Sequence, residues 1–155
     1  CRSQPPLQRY RPRVTRQHRL LLGFDFGVKR VGVAVGQELT RTARELETLN
    51  SPDGGPDWTG ISRLIEQWQP DALIVGLPLN LDGSDHEVTR LARRFGNRLK
   101  GRYNLPVFTI DERLSSVEAE RLLAGEGRFE KEAVDKLAAR IILESWLEQK
   151  PDNNA

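Results

Sequence analysis

The segment LLLGFDFGVKRVGVAVG, residues 20 to 36, decides how the rest of this chain is organised. Its opening apolar run leads to an acid, Asp25, and Gly27 follows two residues later. Valines then alternate with small residues to the end of the segment. A short apolar run followed by such alternation is typical of paired strands, so the segment predicts a β-hairpin with a glycine-containing turn.

The carboxylate of Asp25 stands at the tip of a strand that is predicted to be buried. Such a group loses hydration, and a metal ion, a hydrogen-bond network or a nearby cation must compensate for that loss. Lys29 and Arg30 lie beside it in the sequence and can hold a phosphate that a metal on Asp25 also binds. The alternative, from these residues alone, is a hairpin whose turn is merely charged.

Length and composition restrict the class of protein. A chain of 155 residues fits one domain with its own hydrophobic core. The single cysteine, Cys1, excludes a disulfide framework and a cysteine-based zinc site. No apolar run reaches the length of a membrane span. We therefore expect a cytoplasmic protein without a membrane partner.

The two ends of the chain differ in composition from its middle. Residues 1 to 19 contain six arginines, three prolines and no acid, which predicts a disordered basic arm. This arm can contact nucleic-acid phosphates, and the alternatives are an inert extension or a targeting peptide. Residues 20 to 149 are predicted to form the folded domain, and residues 150 to 155 a disordered tail.

The pattern between residues 20 and 149 predicts the order β-β-β-α-β-α-β-α-α. Right-handed crossovers then give an α/β fold, with a mixed five-stranded sheet and helices on both of its faces. After the hairpin, we predict strands at 41–50, 71–77 and 106–110, and helices at 58–69, 84–99, 115–123 and from 132 onwards.

Two features of the predicted helices have alternative interpretations. Trp58 and Trp68 recur at helical spacing, which favours the core over a base-stacking role. The helix that begins near Ser84 carries basic residues off its apolar stripe, and these can either bind a phosphate backbone or form a solvated face. The basic residues are Arg90, Arg93, Arg94, Arg98 and Lys100.

Three separate parts of the chain supply acids at the ends of predicted elements. Asp25 ends the first strand, Asp111 and Glu112 follow the last strand, and Asp135 lies in the first turn of the final helix. We expect the two acid-ending strands to have neighbouring ends, where ligands gather in open α/β sheets. Oxygen ligands without His or Cys suit Mg²⁺ or Mn²⁺, and such ions hydrolyse phosphodiesters.

The acid pair at the last strand leaves a choice open. Neighbouring residues on a strand point to opposite faces, so Asp111 and Glu112 cannot easily share one site. The longer side chain of Glu112 favours it as the metal ligand.

Four motifs follow one another along the chain. They are DFGVKRVGVAVG at 25–36, IVGLPLNLDGS at 74–84, DERLSS at 111–116 and DKLAARIILE at 135–144. Together they resemble the YqgF/RuvX family of Holliday-junction-resolvase-like proteins and pre-16S rRNA nucleases. The resemblance implies a ribonuclease-H-like fold and a metal-dependent endonuclease that uses Mg²⁺ or Mn²⁺. Its substrate would be either an rRNA precursor or branched DNA.

The same resemblance implies roles for individual residues. Asp25, Glu112 and Asp135 correspond to the catalytic, metal-binding acids of the family. The motif cations, which would contact nucleic acid, are Lys29, Arg30 and Arg113.

Three questions stay open at this point. The chain can act as a monomer or as a homodimer. An ATP-binding relative of the actin and sugar-kinase group also begins with an acid-x-Gly hairpin, although such proteins use two domains. A nucleic-acid-binding module of the same fold that does not cut is a further alternative.

Overall fold

A computed structural model describes residues 19–51, 55–78, 87–112, 115–128 and 130–149. Most of the predicted basic arm, the predicted tail and the start of the predicted helix at Ser84 lie outside these ranges. The motif cation Arg113 lies outside them as well.

Five strands form one mixed sheet in the order β3-β2-β1-β4-β5. The hairpin predicted at residues 20–36 is present, since β1 and β2 pair antiparallel, and β2 pairs antiparallel with β3. β4 is parallel to both β1 and β5. The strands are β1 (Leu20–Phe26), β2 (Arg30–Gln37), β3 (Thr42–Asn50), β4 (Ala72–Pro78) and β5 (Val107–Glu112).

In the described ranges, three helices pack against the sheet and a fourth packs on one of them. The first begins where the Asp57 side chain accepts a hydrogen bond from the Gly60 backbone N–H, and it ends at Gln69 in a left-handed conformation. The predicted order of elements is confirmed, and with it the ribonuclease-H-like class of mixed sheet. The helices are α1 (Trp58–Trp68), α2 (Glu87–Tyr103), α3 (Ser115–Ala124) and α4 (Lys131–Gln149).

The two faces of the sheet are packed by different helices. The valines of β2 and the aromatic Phe24 face α1 and α2, where Trp58 and Trp68 pack against the buried cluster as predicted. The opposite face carries smaller residues and packs against α4. α4 is also covered by α3, through a third cluster that includes Leu123 and Leu137. The structure therefore buries two sides of α4, one against the sheet and one against α3.

Glycines on the α4 face let this helix approach the backbone of the sheet. A Cβ atom built at Gly23 would lie 2.4 Å from Leu143 Cγ, and one at Gly76 would lie 2.4 Å from Ile142 Cδ1. At Gly32 the added atom would lie 2.0 Å from the carbonyl oxygen of Asp135. All three distances are too short for a real side chain, so α4 packs on main chain where another helix would pack on side chains.

The prediction that the two acid-ending strands have neighbouring ends is wrong. β4 lies between β1 and β5 and pairs with both. With strands about 4.8 Å apart, the backbones of β1 and β5 are separated by about 10 Å.

In the part of the chain that the structure describes, no helix combines the length and apolar character needed to cross a membrane.

Candidate active site

Asp25 is the last residue but one of β1 and lies on the face covered by α4. Gly23, two residues earlier, contacts Leu143 of α4, and strand alternation puts Asp25 on the same side. Its neighbours across the sheet are Gly32 on β2 and Gly76 on β4. Both neighbours lack side chains, so the partly buried carboxylate is flanked by backbone on either side.

Asp135, in the second turn of α4, lies directly above one of these glycines. The contact at Gly32 is made by the carbonyl group of Asp135 itself. Gly32 and Asp25 are cross-strand partners, whose Cα atoms are about 4.5 to 5.5 Å apart in an antiparallel pair. The structure therefore brings the backbones of two of the three predicted acids close together, although these residues are far apart in the sequence.

Arg30, the first residue of β2, forms an ion pair with Asp135. Its Nε donates a hydrogen bond to Asp135 Oδ2 at 2.5 Å, and the two side chains are 24% and 16% exposed. Burial raises the pKa of Asp135 above its ordinary value, while the hydrogen bond and charge of Arg30 act in the opposite direction. Arg30, predicted to contact nucleic acid, is thus also the counter-ion of a predicted catalytic acid.

A cleft of about 470 Å³ opens beside this ion pair, between α3 and the start of α4. Its walls include Arg30 and Asp135, together with Arg128 and Lys131. Arg128 and Lys131 were not predicted as site residues. They follow the loop-like sequence AGEG at 124–127 and belong to no recognisable motif. With Arg30 they give the cleft three cations, which face an anionic substrate together with the acids Glu120 and Asp135.

The remaining predicted residues are placed only by their backbone or not at all. Lys29 lies in the exposed turn between β1 and β2, where its carbonyl oxygen accepts a hydrogen bond from the Ser51 N–H. Glu112 ends β5, opposite Pro78. Position 112 has the strand parity of Ile110, which is buried on the α4 face, whereas Asp111 has the opposite parity and is exposed.

The donor set fits a hard divalent cation. The described ranges contain no His and no Cys, so Asp25 and Asp135 offer only oxygen ligands, as Mg²⁺ and Mn²⁺ prefer. Within those ranges no group of three or more acidic, His or Cys side chains gathers around one point. Glu112 therefore stays a predicted ligand.

Comparison with known proteins decides the family. A family model described as "RuvX: Holliday junction resolvase" matches residues 19–149. The chain belongs to the RuvX family. This RuvX chain is 54% identical over 137 residues to a Pseudomonas aeruginosa protein named "Putative pre-16S rRNA nuclease", covering 86% of this chain and 95% of that protein. A Nitrosococcus oceani protein of the same name is 54% identical over 131 residues, 83% of this chain and 86% of that one.

Solved structures with a similar backbone are more distant in sequence from this RuvX chain. RuvC of T. thermophilus, in complex with a Holliday junction substrate, has a TM-score of 0.48 and 17% identity, covering 84% of this chain and 94% of that chain. The fowlpox virus Holliday junction resolvase has a TM-score of 0.49 and 16% identity, covering 84% and 99%. The family match, together with the named relatives, confirms the predicted resemblance and the nuclease class.

Proposed function

We propose that this chain is a divalent-metal-dependent endonuclease that hydrolyses phosphodiester bonds while the end of 16S rRNA matures. The observation that carries the proposal is the meeting of Asp25 and Asp135 across Gly32, on one face of the sheet. The rRNA substrate is supported by the names of relatives that are 54% identical to this chain. The predicted cytoplasmic location is part of the same proposal, because it agrees with an rRNA substrate.

In this proposal Asp25, Asp135 and Glu112 hold Mg²⁺ or Mn²⁺. The bound ion supplies electrostatic stabilisation of the negative charge that develops on the phosphate during hydrolysis. Arg30 favours the charged form of the Asp135 carboxylate and so opposes the rise in pKa that burial causes. An arginine has five N–H donors, so Arg30 has further donors to offer to a substrate phosphate.

The cations of the cleft have a separate part in binding. Arg128 and Lys131 belong to none of the four family motifs and line the approach to Asp135. They raise the local concentration of a polyanion and orient its backbone toward the acids. Lys29 and Arg113 stay proposed nucleic-acid contacts on the strength of the family motifs.

The choice between Asp111 and Glu112 is supported by the sheet. Ile110 packs on the α4 face with Ile142, and position 112 has its parity in an uninterrupted strand. Asp111 has the parity of Val107, which packs with the cluster on the other face. We therefore propose Glu112 as the third metal ligand.

Glu112→Gln is expected to weaken Mn²⁺ binding by at least about tenfold, because ligands matter at least as much as the outer-shell groups whose loss costs about 10- to 100-fold. Asp111→Asn, as a matched control, changes an exposed side chain and is expected to alter stability by less than about 0.5 kcal/mol. Titration calorimetry with Mn²⁺ and thermal melting measure both effects. Loss of the metal in Asp111→Asn with retention in Glu112→Gln would reverse the assignment.

The substrate is tested by a side-by-side cleavage assay on a 16S rRNA precursor and a four-way DNA junction, each with Mg²⁺, Mn²⁺ or EDTA. We expect faster cleavage of the rRNA precursor and none in EDTA. Faster cleavage of the junction would favour the second candidate, a Holliday junction resolvase, which the description of the family model supports. Absence of cleavage with both substrates and both metals would overturn the nuclease proposal in favour of a non-cleaving module.

A further inference from the structure

The exposed side of α2 has an unusual charge for this chain. Residues 19–149 contain 18 Lys or Arg and 21 Asp or Glu, and the Glu87–Tyr103 helix alone contains six of these cations and one of these acids. The remainder of the segment holds 12 cations against 20 acids. Basic charge is therefore concentrated on one helix of an otherwise acidic domain.

The spacing of four of these cations forms a row along the helix. Arg90, Arg94, Arg98 and Arg102 recur every four residues and are exposed. Residues four apart lie on one side of a helix, about 6 Å from each other along its axis, so the row extends for about 18 Å. Arg93 and Lys100 are also exposed, and both lie along one side of this row. We call these six residues the α2 basic face.

Several other surface arginines pair with acids, whereas much of this face does not. Arg63 pairs with Glu47, and Arg121 pairs with Glu118. On the α2 basic face, Arg90 pairs with Glu87. Within the described ranges, Arg94, Arg98, Lys100 and Arg102 form no ion pair, in contrast to those arginines elsewhere on the domain.

Two of these arginines are held close together by one tryptophan. The Trp58 ring stacks on Phe95 at 5.7 Å between centroids, and the guanidinium carbons of Arg98 and Arg102 lie 4.9 and 4.1 Å from the Trp58 centroid. Cation–π contact orders both side chains and leaves their N–H edges available to an anion. Two like charges over one ring repel each other, and a phosphate between or beside them would relieve that repulsion.

We infer that the α2 basic face is a second nucleic-acid contact surface, which binds the phosphate backbone of the substrate away from the bond that is cut. This inference rests on the proposed function in that the substrate is a nucleic acid. The face belongs to the α1/α2 side of the sheet, whereas Asp25 and Asp135 lie on the α4 side. Only a substrate long enough to pass around the edge of the sheet reaches both surfaces, so the face selects for extended or structured nucleic acid.

The test is the salt dependence of binding to a labelled rRNA-precursor fragment, measured in EDTA with the full chain. Each phosphate contact that is lost lowers the slope of log affinity against log salt by about 0.7 to 0.9, so Arg94→Gln/Arg98→Gln is expected to lower it by about 1.5. Arg63→Gln/Arg121→Gln is the control, because it removes the same charge from exposed helix positions. We expect the control slope to equal that of the wild type.

One further variant separates a loss of binding from a loss of stability. Arg94→Gln alone, at a residue with no described contact to lose, is expected to lower the slope by about 0.7 to 0.9 without changing the melting temperature. Equal slopes for the test and control double variants would overturn the inference and leave a solvated face or an acidic protein as partner. Binding in EDTA does not depend on cleavage, so failure of the nuclease proposal would leave this result readable.

Discussion

Asp25→Asn is expected to lower the rate of cleavage by at least about a hundredfold and to leave the fold intact. The substitution keeps the volume of the side chain but removes the negative charge with which Asp25 would hold the cation. Stabilisation by a bound metal is worth several kcal/mol, and each 1.4 kcal/mol is about a factor of ten in rate. Asp25 is only partly buried between Gly32 and Gly76, so an amide fits the same space.

The measurement is single-turnover cleavage with Mg²⁺ and with Mn²⁺, alongside Mn²⁺ titration and thermal melting. Asp111→Asn is the matched control, because it removes the same charge from an exposed position on β5. Turnover of Asp25→Asn equal to the wild type would exclude Asp25 from the metal site. An unfolded variant would show instead that this carboxylate is required for the fold.

Gly32→Ala is expected to damage both stability and activity, although it adds a single methyl group. The new Cβ would lie 2.0 Å from the Asp135 carbonyl oxygen and 2.9 Å from the Lys136 nitrogen. These are backbone atoms, which cannot rotate away as a side chain can, so the start of α4 must move by about 1 Å. A misplacement of about 1 Å can cost about a hundredfold in rate, and overpacking typically costs about 1 to 3 kcal/mol.

The melting temperature, the Mn²⁺ affinity and the cleavage rate should all fall in Gly32→Ala. Gly101→Ala is the control: Gly101 lies in α2 with no neighbouring atom within 4 Å of its added Cβ, and the change should stabilise the chain by about 0.5 to 1 kcal/mol. A destabilised Gly32→Ala variant with unchanged Mn²⁺ affinity would separate the helix contact from the metal site. Wild-type stability would show that α4 yields at this point.

Local patterns predicted the strands and helices well, because the spacing of apolar residues within each segment differs between a strand and a helix. The alternation of Val31 to Val35 predicted β2, and the helix predicted at 115–123 is present as α3. The order of β1, β4 and β5 depends on crossovers between distant segments, which local periodicity does not encode. The insertion of β4 between the acid-ending strands was therefore beyond a local pattern.

The three acids of the candidate site stay predictions, and part of what surrounds them was not predicted from the sequence. The ion pair of Arg30 with Asp135 joins residues 105 positions apart, and no spacing rule relates them. One signal for the close approach of α4 was available in β2. Its α4 face reads Gly32, Ala34, Gly36, and a strand face built only from small residues indicates that another backbone comes near.

The glycines beneath α4, Gly23, Gly32 and Gly76, separate the stability of the domain from the geometry of the proposed metal site. On the α1/α2 face, large side chains such as Phe24 and Phe95 fill the interior, and their exchange alters how much heat the domain withstands. Under the first turns of α4, the interval between Asp25 and Asp135 is fixed by main chain resting on main chain. Substitutions on the α1/α2 face can therefore change the stability of the domain while the spacing of Asp25 and Asp135 stays the same.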